Sequence, residues 1–167
     1  FRTQHKEANT QFARFVKDNY VDWLSGDDDA PVMSHTLFEN KVLPVLNENK
    51  GERAVFMVVI DNLIFDQWKV LQPLFSSAFR IEEEEIFMSI LPTATHYARN
   101  ALFAGLLPSQ MEQMYPRLWK NEGEEGGKNL HEAEFLEGQL KRLGQNVKWS
   151  YNKVTNLNAG KKLADQF

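Results

Sequence analysis

The sequence predicts an α/β fold, a layered sandwich around a largely parallel sheet, preceded by a helical linker. Three observations predict it. Residues 54–60 (AVFMVVI) form an unbroken apolar run, the pattern of a strand covered on both faces. Residues 86–91 (IFMSIL) form a second, shorter run that Pro92 stops, because proline cannot donate to a sheet ladder. From Arg53 onward such runs alternate with stretches of helical periodicity, the order expected of a layered α/β domain.

Composition bounds the function. The 167 residues are 43% hydrophobic and 25% charged, ordinary proportions for a globular chain with a sizeable core. A net charge of −4 argues against a broad nucleic-acid-binding surface, which needs clustered Lys and Arg. With no cysteine there is no disulfide and no thiolate metal site. No apolar run reaches the roughly eighteen residues of a membrane span, and no signal peptide is visible. Membrane insertion is not expected, and the expected location is the cytoplasm. The sequence starts at Phe1 rather than Met and stops in mid-pattern at Phe167, so it reads as part of a longer chain.

Taken in order, residues 1–24 are helical in pattern, with Phe12, Phe15, Val16, Asn19, Tyr20 and Trp23 forming a stripe that reads as core packing. SGDDDAP (25–31) breaks the helix; its three aspartates lack the alternating spacing of a calcium loop and read as a solvated turn. Ser34 reads as the N-cap of a helix running to about Asn49, which Pro44 should kink or split. A boundary near Gly51 then separates a helical linker (1–51) from the α/β part (52–167). The strand at 53–60 ends in Asp61 and Asn62, and the carboxyl ends of such strands are where open α/β sheets place their functional crevice. Residues 65–79 form an amphipathic helix that Pro73 is expected to kink, and Glu82–Glu85 read as a solvated charge run rather than a cation site.

Thr93 and Thr95 sit where the second strand gives way to a helix. One of them caps the helix, or the unpaired N–H groups there hold an anion. Beyond it, Ser109 and Glu112 read as a capping box, 121–127 (NEGEEGG) as an acidic loop, and 129–143 as a helix closed by Gly144. Residues 147–154 (VKWSYNKV) alternate as a half-exposed strand does, and a last helix starts at Asn156 and runs to Phe167.

The stretch PTATHYARNALFAGLLP (92–108) carries a resemblance. A strand, then P-T-x-T, then Arg99 four positions after Thr95, then Ala104-Gly105 and Pro108, resembles the nucleophile segment of the alkaline phosphatase superfamily. More narrowly it is similar to the PglZ branch, as found in PorX-like response regulators that act in type IX secretion; residues 1–51 resemble the helical linker before that domain. The resemblance implies an alkaline-phosphatase-like sandwich and a phosphodiesterase or phosphatase. It implies Thr95 as nucleophile, chosen over Thr93 for its spacing to Ala104-Gly105, with Asp61 and Thr95 binding metal. Arg99 either orients Thr95, binds a substrate oxygen, or is an ordinary salt-bridging residue; Asn62 and Asn100 are weaker candidates. It further implies two zinc ions in the complete domain and a phosphodiester or oligonucleotide substrate. The partners implied are a receiver domain, a sensor kinase and a second copy of the chain.

The family's adjacent Asp-His pair is not in this sequence. Its histidines are His5, His35, His96 and His131, and HEAEF around His131 lacks the second His of a zinc-protease helix. The two-metal site is therefore incomplete within these residues, which are not expected to be active alone. The alternative is a non-catalytic signalling module for dimerisation or partner binding.

Overall fold

Helical periodicity, not the apolar runs, decides what the chain builds. The computed structural model describes residues 1–121 and 123–165. Glu122 of the acidic loop, and Gln166 and Phe167 of the last expected helix, lie outside the described residues. The chain forms α1 (Arg2–Leu24), a π-helical turn (Phe38–Val42) leading into α2 (Leu43–Asn49), α3 (Phe65–Ser76), α4 (Thr95–Ala104), α5 (Pro108–Met114), α6 (Glu132–Arg142) and α7 (Leu157–Ala164).

The expected layered α/β sandwich with its largely parallel sheet is not what forms. Among the described residues the β-pairing is a single isolated parallel bridge, Met33 to Met88. Its hydrogen bonds run from Met88 N to Val32 O (2.8 Å) and from Ser34 N to Met88 O (3.1 Å). Residues 54–60 join no ladder, and most of their side chains are exposed, Phe56 by 67% and Val58 by 77%, while Met57 packs against the core cluster. An apolar run encodes a demand for cover on two faces; ladder partners must come from distant sequence, and none is positioned beside this one. Residues 147–154 likewise join no ladder; within them only Tyr151 is drawn inward, edge-on to Phe103 with ring centroids 5.8 Å apart.

The core therefore lies between helices. Ala101 and Ala104 of α4 are fully buried, and their small side chains let α6 approach with Phe135. Ile90 and Met33 close the cluster from the bridge side, and Trp23 from α1. The α1 stripe is core only over its last two turns. Val16 and Tyr20 pack on the cluster with Trp23, Tyr20 Oη accepts a hydrogen bond from Leu91 N (2.6 Å), and Phe12 and Phe15 remain more than half exposed.

Local chemistry explains the other departures. Ser34 does not cap a helix; it is buried, and its Oγ accepts from Ile90 N at 3.2 Å. Pro44 sits in the first turn of α2, where a missing N–H costs nothing, and the split it was expected to cause is the π-helical turn before it. At α5 it is Gln110, not Glu112, whose side chain accepts from the N-cap N–H, that of Leu107, at 2.8 Å. The glutamate run is not simply solvated. Glu84 accepts from Trp68 Nε1 (2.8 Å), Lys69 Nζ (2.5 Å) and Gln72 Nε2 (3.0 Å), and Glu85 pairs with Lys41. These bonds, that of Lys69 foremost, hold the Glu84 carboxyl below its usual range and fasten the 80–88 segment to α3.

Gly105 ends α4 in the left-handed region (φ 61°), and a Cβ built there lies 2.0 Å from Gln139 Oε1. Gln139 is buried, and its amide donates to the last carbonyls of α4, Leu102 O (3.2 Å) and Phe103 O (2.8 Å). Gly105→Ala is expected to destabilise the chain by about 2 kcal/mol, from left-handed strain and displacement of Gln139. Thermal unfolding checks this; an unchanged midpoint overturns the tight α4–α6 approach.

Candidate functional site

Thr95 is the first residue of α4, and Ala94 holds the N-cap position without a side-chain cap hydrogen bond. Neither threonine therefore caps the helix. Both are exposed, and the Thr95 hydroxyl has no hydrogen-bond partner among the described residues. The hydroxyl stands at the positive end of the α4 dipole, which disposes the locality toward negative charge.

One turn along α4, Arg99 reaches two carboxylates. Its Nη1 donates to Asp61 Oδ2 at 2.6 Å, and its Nε donates to Glu132 Oε1. The salt-bridging reading of Arg99 is thus realised, and the bond brings the Asp61 carboxylate beside the opening turns of α4. Asn62 adopts the left-handed conformation that asparagine tolerates (φ 61°), so the chain turns sharply after Asp61. Asn100 points the other way: it is buried and donates from Nδ2 to Lys128 O at 2.8 Å. His96 lies against Tyr97 with the rings tilted and their centroids 3.9 Å apart, and His131 pairs with Glu134 at 2.9 Å.

Glu132 was not legible as a site residue. At 3% side-chain exposure its carboxylate is enclosed and satisfied by Arg99 Nε, the Tyr151 hydroxyl and Lys153 Nζ (3.0 Å). Burial and the bond to Glu132 push the Tyr151 phenol well above its ordinary pKa, so it stays a neutral donor. Two carboxylates meet two cations here, so the charges balance within the cluster. No local signal marks Glu132, Tyr151 or Lys153, whose partners lie 19 to 33 residues away in sequence.

The site is thus an exposed hydroxyl at a helix mouth with an anchored arginine one turn behind it. A family model described as the BREX system PglZ alkaline phosphatase-like domain matches residues 37–167. The chain belongs to the PglZ family. No curated protein matches it. As a PglZ domain it falls in a phosphatase- and phosphodiesterase-like family of the alkaline phosphatase superfamily. The match begins ahead of the boundary read at Gly51, taking in the π-helical turn and α2.

Members of the superfamily commonly bind metals, but the donors here do not fit a zinc pair. Among the described residues no three His, Asp or Glu side chains converge. Asp61 and the Thr95 hydroxyl are two oxygen donors at most, and Arg99 already holds one Asp61 oxygen. Zinc prefers four ligands, with three from protein even in catalytic sites. Titrating the chain with zinc near neutral pH in a calorimeter is expected to show only weak binding. Tight one-to-one binding overturns the two-donor count.

Proposed function

We propose that this PglZ domain takes part in phosphoryl transfer, with Thr95 as nucleophile toward a phosphodiester or oligonucleotide. The observation that carries the reading is the Thr95 hydroxyl: exposed, unbonded, and set at the N-terminus of a helix whose cap position is filled by alanine. In the reaction Thr95 Oγ forms a bond to phosphorus as the bond to the leaving alcohol breaks, the threonine hydroxyl proton ends on that alcohol, and water later releases the phosphoryl group and restores the hydroxyl. The N-terminal dipole of α4 and the Arg99 guanidinium favour the charge that develops on the phosphoryl oxygens. Asp61 fixes Arg99 from one side.

The resemblance of 92–108 supports a finer assignment: a PorX-like effector domain in a two-component response regulator that controls type IX secretion. That assignment brings a receiver domain, a sensor kinase and a second copy of the chain as partners, zinc in the complete domain, and a cytoplasmic location. Release of aryl alcohol from an aryl phosphodiester by the full-length protein tests the reaction class. Turnover that depends on Thr95 supports the reading; no turnover with phosphodiesters or phosphomonoesters overturns it.

A further inference from the structure

The guanidinium of Arg99 is held on two sides and open on the third. Nε is bound by Glu132 and Nη1 by Asp61, while Nη2 has no hydrogen-bond partner among the described residues. The Arg99 side chain is 15% exposed, so the open edge is a restricted one. The two anchors differ in kind. The Asp61 side chain is 52% exposed and sits on a turn, whereas Glu132 is 3% exposed and leads α6, the helix packed against α4. Glu132 is itself fixed, its second oxygen taking the Tyr151 hydroxyl and Lys153 Nζ. An arginine gripped through Nε by an enclosed, multiply bonded carboxylate has its planar fork aimed; one gripped only by an exposed carboxylate on a turn is aimed less well.

We propose that Glu132, fixed by Tyr151, is a positioning residue that aims the Nη2 edge of Arg99 at a phosphoryl oxygen of the substrate held at Thr95. The proposal rests on the phosphoryl-transfer reading of Thr95 and adds residues which that reading does not need. Its energetic content is orientation. A pre-aimed guanidinium loses less freedom when it takes an anion than one that must first be ordered. Removing the Glu132 charge has an opposite electrostatic consequence, since it raises the local positive potential and by itself tightens anion binding. Positioning and simple charge therefore predict opposite signs.

The test uses inorganic phosphate as probe and the full-length protein labelled with 15N-arginine. The Arg99 Nε–H resonance is assigned by its loss in Arg99→Lys. In the unsubstituted protein phosphate is expected to shift this resonance in a saturable way. Glu132→Gln is expected to broaden it and to weaken phosphate binding by about tenfold, the scale of one charge-assisted bond made less well. Tyr151→Phe keeps the Glu132 charge and the ring packed on Phe103 while removing one donor, and it is expected to weaken phosphate a few-fold in the same direction. Should Glu132→Gln fail to fold, Tyr151→Phe decides alone. Phosphate binding unchanged or tighter in both variants overturns the positioning role. If phosphate never shifts Arg99 in the unsubstituted protein, the arginine does not face a phosphoryl site and the proposal falls; turnover that still depends on Thr95 leaves the phosphoryl-transfer reading standing.

Discussion

Thr95→Ala in the full-length protein is expected to lower phosphodiester turnover by about a thousandfold or more while leaving the fold intact. Loss of a nucleophile removes the covalent route altogether and leaves only what binding and charge supply. The fold should not notice. The Thr95 side chain is exposed, makes no cap bond, and stands at a helical position where alanine is an excellent former. Thr93→Ala, two residues earlier and outside α4, is expected to change turnover only modestly. Initial rates on an aryl phosphodiester, paired with thermal melts, check both. Full turnover in Thr95→Ala removes Thr95 from the chemistry. The exposed aromatic face of α1 at Phe12 and Phe15 then becomes the place to look for a partner-binding role.

How much of this could be read from residues alone depends on the distance over which each interaction acts. The helices were legible because periodicity is local: the α1, α3, α4 and α6 segments all repeat apolar positions at three and four. That 54–60 would stay out of helix was legible too, since β-branched runs avoid helix. Its sheet was not, because pairing depends on what lies beside the run rather than on the run. The threonine pair shows the converse. Capping preference favours threonine over alanine, yet Ala94 takes the position, so a local preference was overruled by where the chain enters the helix. Asp61 and Arg99 were visible as candidates through resemblance, but their bond to one another spans 38 residues. Glu132 looked like any polar residue at a helix start, where acidic side chains suit the dipole, and nothing nearby announced that it would be buried.

That burial sets up the largest stability effect expected. Glu132→Ala removes the carboxylate on which Arg99, Tyr151 and Lys153 converge. Breaking a buried ion pair from one side costs about 3–5 kcal/mol, because the stranded partner keeps its desolvation penalty. Here the low end applies, about 3 kcal/mol. Arg99 retains Asp61, and Lys153, at 37% side-chain exposure, can turn to water, so the Tyr151 hydroxyl is the group left worst off. Glu137→Ala on the same helix is the control. Its pair with Lys141 is an exposed i,i+4 bridge, worth at most about 0.5 kcal/mol. Denaturant unfolding of the two variants should therefore separate them by more than 2 kcal/mol, on the order of the difference between buried and exposed pairs. Adding Arg99→Ala to Glu132→Ala should cost less than the sum of the single changes, since each single change leaves the other member without its partner. Additive losses, or equal losses for Glu132 and Glu137, mean that the α4–α6 contact is held by Ala101, Ala104 and Phe135 alone and that the charge cluster is incidental to it.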